Sequence, residues 1–166
     1  MNYKYIEKIF DESKILKIVE KAKRSKKKVV FTNGCFDILH SGHIRYLRES
    51  RMLGDMLIIG LNSDESVRRI KGERRPINSQ ENRAYLLEAL EFVDYIVIFN
   101  ENTPERLVRK IKPDYYTKGG DYSTYDFSKY DFIKNAKDLC EYIEKLTVNK
   151  NKYYVFLDEI QKIDNF

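Results

Sequence analysis

The chain has 166 residues, enough for one domain with a real core. Its 34% charged and 42% hydrophobic residues are an ordinary water-soluble mixture, and its formal net charge of +5 suits an anionic ligand. The two cysteines, Cys35 and Cys140, have neither metal-site spacing nor the pattern of a secreted disulfide scaffold. No apolar run approaches membrane-spanning length, Met1–Tyr5 lacks the apolar run of a signal peptide, and no nucleic-acid motif is present. The expectation is a cytoplasmic protein with no membrane and no nucleic-acid partner. The basic run Lys21–Lys28 reads as a solvated surface.

In chain order, residues 11–24 form an amphipathic helix, capped by Asp11 or Ser13, with Ile15, Leu16, Ile18 and Val19 as its apolar stripe. Val29–Phe31 is a short buried strand, followed by a loop from Thr32 to Leu39. A second helix starts near Ser41, runs through Ile44 and Leu47 and stops at Gly54. Met56–Leu61 is a second buried strand. Ser63–Ile70 is a short helix leading into a charged loop, and Ser79 caps the next helix, with Ala84, Leu87 and Leu90 at helical spacing. Tyr95–Phe99 is a third strand. Thr103-Pro104 starts a helix with proline at its first position, holding Leu107, Val108 and Ile111 and ending before Pro113. Asp114–Thr117 is a fourth strand, followed by Gly119-Gly120. Continuously apolar strands alternating with helices predict an α/β fold: a Rossmann-like parallel sheet with helices on both faces. Ligands of such sheets sit at the carboxyl ends of the strands, near a switch in strand order.

The composition changes after Gly120. All seven glycines and all three prolines lie at or before it. We therefore divide the chain into a domain at residues 1–122 and an atypical tail at 123–166, with a tyrosine-rich loop, a helix over Asp131–Leu146 and a strand over Tyr153–Leu157.

The two histidines of the chain, His40 and His43, stand three apart at the start of the second helix. A helix start offers unpaired N–H groups and the positive end of the helix dipole, which together make an anion site. Residues three apart share a helix face, so both imidazoles can aim at one phosphate. Gly42 between them and Gly34 in the preceding loop would let a phosphate approach the backbone. A metal pair is the alternative, but metal-binding helical pairs are usually four apart with a nearby glutamate, so no metal ligands are assigned. Read alone, Lys71, Arg74 and Arg75 are a solvated loop, Arg83 pairs with a surface carboxylate, and Cys35 is a small buried residue. Asp37 braces the loop or caps the helix.

Thr32–His43, TNGCFDILHSGH, resembles the HxGH signature of the cytidylyltransferase-like nucleotidyltransferases. Ile44–Asp64, Lys71–Arg83 (KGERRPINSQENR) and Lys118–Tyr122 (KGGDY) continue the match over about residues 10–122. Together the segments are most similar to the adenylyltransferase domain that activates D-glycero-D-manno-heptose 1-phosphate with ATP. The resemblance implies transfer of a nucleoside monophosphate from a triphosphate to a sugar phosphate, with release of pyrophosphate. It implies that His40, His43 and Lys71 are catalytic and that Phe31, Thr32, Asn33, Gly34, Cys35, Phe36 and Asp37 form the nucleotide loop. His40, Gly42, His43 and Arg83 would also bind the nucleotide, Lys71 acting from a mobile loop and Arg83 on the β- or γ-phosphate. Lys118, Gly119, Gly120 and Asp121 would line the acceptor or base side. ATP is the implied substrate, Mg2+ rides on its phosphates, and a homodimer is the default assembly.

The enzymatic alternatives are a cytidylyltransferase acting on glycerol 3-phosphate and an FMN adenylyltransferase. A non-catalytic nucleotide-binding remnant and a regulatory protein docking through its tail are the alternatives of other classes. The chain departs from the family pattern in lacking a late ISTT-like motif. Its tail, YYVFLDEIQKIDNF, instead resembles the second nucleotide motif of an AAA-type ATPase, without any phosphate-binding loop to accompany it. A fusion-derived ATPase fragment would account for both features.

Overall fold

A computed structural model describes residues 7–118 and the backbone of residues 155–156. In chain order the elements are α1 (Glu12–Arg24), β1 (Val29–Gly34), α2 (Ser41–Met52), β2 (Met56–Asn62) and α3 (Asp64–Lys71). They continue with α4 (Gln80–Glu88), β3 (Tyr95–Phe99), α5 (Glu105–Ile111), β4 (Tyr115–Thr117) and β5 (Val155–Phe156). The strands form one sheet in the order β3-β2-β1-β4-β5, and every pairing is parallel.

Alternation along each strand divides the core between the two faces. Val29, Phe31, Met56, Ile58, Val97 and Phe99 pack with α1 and α5 through Ile15, Val19, Leu107, Val108 and Ile111. Val30, Leu57, Ile59, Leu61 and Ile96 face the other way, against Leu47 of α2 and Ala84 and Leu87 of α4. Helices thus cover both faces, as continuously apolar strands require. The chain runs from β1 to β2 and β3 on one side and returns to place β4 on the other side of β1. The switch in strand order therefore lies between β1 and β4.

The helix ends follow capping chemistry. Asp11 accepts from the Lys14 amide at 2.8 Å, and Ser63 and Ser79 accept from Ser66 and Asn82. Five expectations are corrected in detail. β1 runs three residues beyond Phe31, because Thr32, Asn33 and Gly34 pair with Ile59, Gly60 and Leu61 of β2. Lys71 is the last residue of α3 rather than part of a loop, and Leu90 lies beyond α4. Pro104 is the N-cap of α5, which starts one residue later. Gly54 follows the end of α2 but takes no left-handed conformation. A Cβ there would stand 2.8 Å from both the Lys28 carbonyl oxygen and Val30 Cγ2, so its glycine serves a close approach to β1.

Of the expected tail strand, Val155 and Phe156 are described, paired with Tyr116 and Thr117. The helix expected over Asp131–Leu146 lies outside the described residues, as do Gly119, Gly120 and Asp121.

Candidate active site

The carboxyl ends of β1 and β4 meet at the switch in strand order, and the side chains there are polar and mutually bonded. The Lys118 ammonium donates to the Asn33 side-chain carbonyl at 3.0 Å and to the Asn33 backbone carbonyl at 3.3 Å. Tyr116 donates its hydroxyl to the same Asn33 side chain at 2.6 Å and stacks on Phe31. Burial pushes the Lys118 ammonium down to about 8, well below the ordinary lysine value.

Directly above β1 the backbone turns through Cys35, Phe36 and Asp37 into α2. Phe36 is buried and holds a left-handed φ of 46°, an uncommon conformation for a residue with a bulky side chain. A Cβ on Gly34 would meet the Phe36 ring at 2.9 Å, so Gly34 makes room for that ring. The Phe36 ring in turn lies against His43, with centroids 5.2 Å apart.

His40 is the N-cap of α2. Its Nδ1 accepts from the Gly42 amide at 3.1 Å. An accepting Nδ1 leaves the ring proton on Nε2, which makes Nε2 a donor. The His40 and His43 rings lie 3.9 Å apart by their centroids, so the spacing of three does bring them together. A Cβ on Gly42 would come within 3.0 Å of the His40 ring. Gly42 therefore makes room for the imidazole. α2 has no acidic residue in its first turn, whereas α1, α3, α4 and α5 each have at least one. Its positive end is thus left uncompensated by its own sequence.

A second loop, residues 72–79, docks on the turn. The Asp37 carboxylate is buried and accepts from Arg75 at 2.7 Å and from the amides of Ile77 and Asn78 at 2.7 and 3.2 Å. Burial alone would raise its pKa, but the Arg75 guanidinium and the two amides outweigh burial and hold the carboxyl below the usual range. Asp37 is thereby a brace between two loops.

Arg83, expected from the resemblance to bind the β- or γ-phosphate, sits among protein acceptors. It is fully buried in the first turn of α4, and its guanidinium donates to the carbonyls of Asn78 and Cys35 and to the Asp64 carboxylate at 2.7 Å. Three of its nitrogens are thus committed to the protein. Burial pushes the Cys35 thiol up, and the charges of Lys71, Arg83 and Lys118 act against that rise, which places all three cations around the turn. A raised thiol is a poor nucleophile, in keeping with a packing role for Cys35.

Sequence reasoning did not single out Tyr46, Ser50, Asp64, Tyr116 or Thr117. The Tyr46 hydroxyl meets Thr32 Oγ1, which also donates to the Thr117 carbonyl at 2.9 Å, and Ser50 pairs with the Thr117 hydroxyl at 2.8 Å. These bonds lock α2 onto the ends of β1 and β4. Their partners are up to 85 positions apart, so no local pattern reveals them.

The family pattern described as cytidylyltransferase-like matches residues 31–161. The chain belongs to this family. As a cytidylyltransferase-like protein it is a nucleotidyltransferase, and its match runs beyond residue 122, where the composition changes. It is 53% identical over 138 residues to the bifunctional protein HldE of Wolinella succinogenes, covering 83% of this chain and 29% of that one. It is 49% identical over 159 residues to the HldE of Aliarcobacter butzleri, covering 95% of this chain and 32% of that one. The chain thus spans about a third or less of the length of these curated relatives.

Among solved structures, the lipopolysaccharide core biosynthesis protein of Thermoplasma volcanium superposes with a TM-score of 0.59 at 32% identity, over 78% of this chain and 95% of that one. Pantoate-beta-alanine ligase of Francisella tularensis superposes with a TM-score of 0.58 at 13% identity, over 90% and 66% of the two chains, a likeness of fold alone.

Among the described residues no group of three or more His, Cys, Asp or Glu side chains is arranged to hold a metal ion. No described helix is long and apolar enough to cross a membrane.

Proposed function

We propose that this nucleotidyltransferase transfers AMP from ATP to a sugar 1-phosphate of the heptose 1-phosphate class, giving the ADP-sugar and pyrophosphate. The observation that carries the reading is the histidine pair, 3.9 Å apart by ring centroids, on a helix start with no acid of its own. An oxygen of the acceptor phosphate attacks the α-phosphorus, the bond from that phosphorus to the bridging oxygen breaks, and pyrophosphate departs. The protein's task is alignment and the stabilisation of charge on the equatorial and leaving oxygens. His40 Nε2, the His43 imidazole and the α2 amides supply donors for that charge. Lys71 and Lys118 are the cations we assign to the triphosphate and to the acceptor side. Phe31–Asp37 forms the floor on which the nucleotide lies, and Gly119, Gly120 and Asp121 continue the acceptor side. Mg2+ enters with the triphosphate, held mainly by phosphate oxygens and water.

Adenine and a heptose-type acceptor are favoured over cytosine and a polyol phosphate by the HldE relatives and by the lipopolysaccharide core biosynthesis protein, together with the KGGDY and KGERRPINSQENR segments. Pyrophosphate release with ATP or CTP against a panel of sugar and polyol phosphates tests the choice. Release that requires both ATP and heptose 1-phosphate is the expected result. Release only with CTP and glycerol 3-phosphate would transfer the assignment to a cytidylyltransferase.

A further inference from the structure

We propose that Arg83 and Asp64 are positioning residues for the histidine pair, acting through the backbone of residues 35–37 without touching phosphate. The proposal rests on the nucleotidyltransferase reading of the site and concerns how that site is held in shape.

The three backbone positions 35–37 are fixed from both ends. Arg83 donates to the Cys35 carbonyl at one end. At the other, Asp37 accepts from Arg75, Ile77 and Asn78, and its backbone carbonyl accepts from the Asn78 side chain at 2.7 Å. Asn78 closes the circuit, because its own carbonyl accepts from Arg83 Nε at 3.0 Å. Between the two ends stands Phe36, in its left-handed conformation, with its ring on His43. A bulky residue keeps such a backbone only where its surroundings over-determine it. A movement of the Cys35 peptide would therefore reach His43 through one ring contact.

Asp64 anchors the circuit to the scaffold. Its carboxylate takes Arg83 Nη2, and its amide donates to Gln80 Oε1 at 3.0 Å, so the starts of α3 and α4 are tied to each other in both directions. Complete burial argues against a direct phosphate contact, since a triphosphate would have to displace the Cys35 and Asn78 carbonyls as well as a carboxylate to reach the guanidinium. A lysine in its place keeps the charge but presents a single nitrogen, so it cannot span three acceptors.

The test compares Arg83→Lys, Asp64→Ala and Asp64→Asn in the full chain. The kinetic readout is pyrophosphate release with ATP. The second readout is the pair of imidazole Cε1-proton NMR signals, one for each of the two histidines in the chain. Arg83→Lys and Asp64→Ala are expected to lower kcat by about 10- to 100-fold, with the KM for ATP held within about threefold. Both should shift the His43 signal, and Asp64→Asn, which retains an acceptor for Nη2, should restore most of the rate and the signal. An ATP KM raised tenfold or more in Arg83→Lys with both signals unmoved would make Arg83 a phosphate ligand and overturn the proposal. Wild-type turnover by Asp64→Ala would overturn it equally. Should Asp64→Ala fail to fold, Arg83→Lys and Asp64→Asn decide by the same signals. Absence of turnover in the wild type with every substrate pair counts against the proposed function alone. The NMR signals still judge the positioning, and unmoved signals in Arg83→Lys defeat it.

Discussion

His40 and His43 differ in what surrounds them. His40 is exposed at the N-cap and holds its own tautomer through Gly42, while His43 is half-buried against Phe36. Removing either donor is expected to reduce turnover by on the order of 10²–10³, measured as pyrophosphate release from His40→Ala and His43→Ala. Lys118 adds a pH dependence. Its ammonium form is present below about 8, so phosphate attraction through it is present at lower pH and lost as pH rises through that value. The KM for the sugar phosphate acceptor should therefore rise on the alkaline side in the wild type and lose that rise in Lys118→Met. The same depression works oppositely on stability: the unfolded chain keeps the proton to higher pH, so this group's burial penalises folding below about 8, and stability climbs from there towards the ordinary lysine value. At this scale the sequence displayed the histidine pair and the lysine, because each belongs to a short local pattern. It did not display that Arg83 is consumed by Cys35, Asn78 and Asp64, since those partners come together only on folding.

Among the elements, two turns are held by side chains rather than by secondary structure. Asp37 carries the contact between the β1–α2 turn and the 72–79 loop, and charge-assisted bonds of this kind contribute about 1.5–3 kcal/mol each. Asp37→Ala is expected to lower unfolding free energy by about 2–3 kcal/mol, read from a urea midpoint. Its carboxyl is held below the usual range, so this stability is present above the ordinary aspartate pKa and is lost as pH falls through the lowered one. Gly54 tests packing alone. A methyl group there meets a backbone carbonyl at 2.8 Å, which cannot swing aside as a side chain can. Gly54→Ala should cost about 1–3 kcal/mol and leave the ATP KM unchanged in the folded fraction. Helix starts were legible because capping side chains announce them. The end of β1 was not, because Thr32 and Asn33 read as loop residues until β2 and β4 supply their partners.

For the whole molecule, the order β3-β2-β1-β4-β5 puts the switch in strand order between β1 and β4, and α2 follows the carboxyl end of β1. Periodicity alone was enough to anticipate a parallel sheet covered on both faces. The order of the strands was not legible that way, because β4 reaches β1 across most of the chain. The tail is where composition and family likeness differ most: glycine and proline stop at Gly120, yet the family match continues to residue 161 and β5 lies beside β4. Saturation with ATP and Mg2+ at about 100 times Kd is expected to stabilise the folded chain by about 2.7 kcal/mol, seen as a rise in Tm that His43→Ala diminishes. The most direct measurement is pyrophosphate release from ATP and heptose 1-phosphate by the wild type and by His43→Ala. Release that requires both substrates and falls at least a hundredfold in the variant is the predicted result. A folded wild type that binds ATP but releases no pyrophosphate with any acceptor would contradict it.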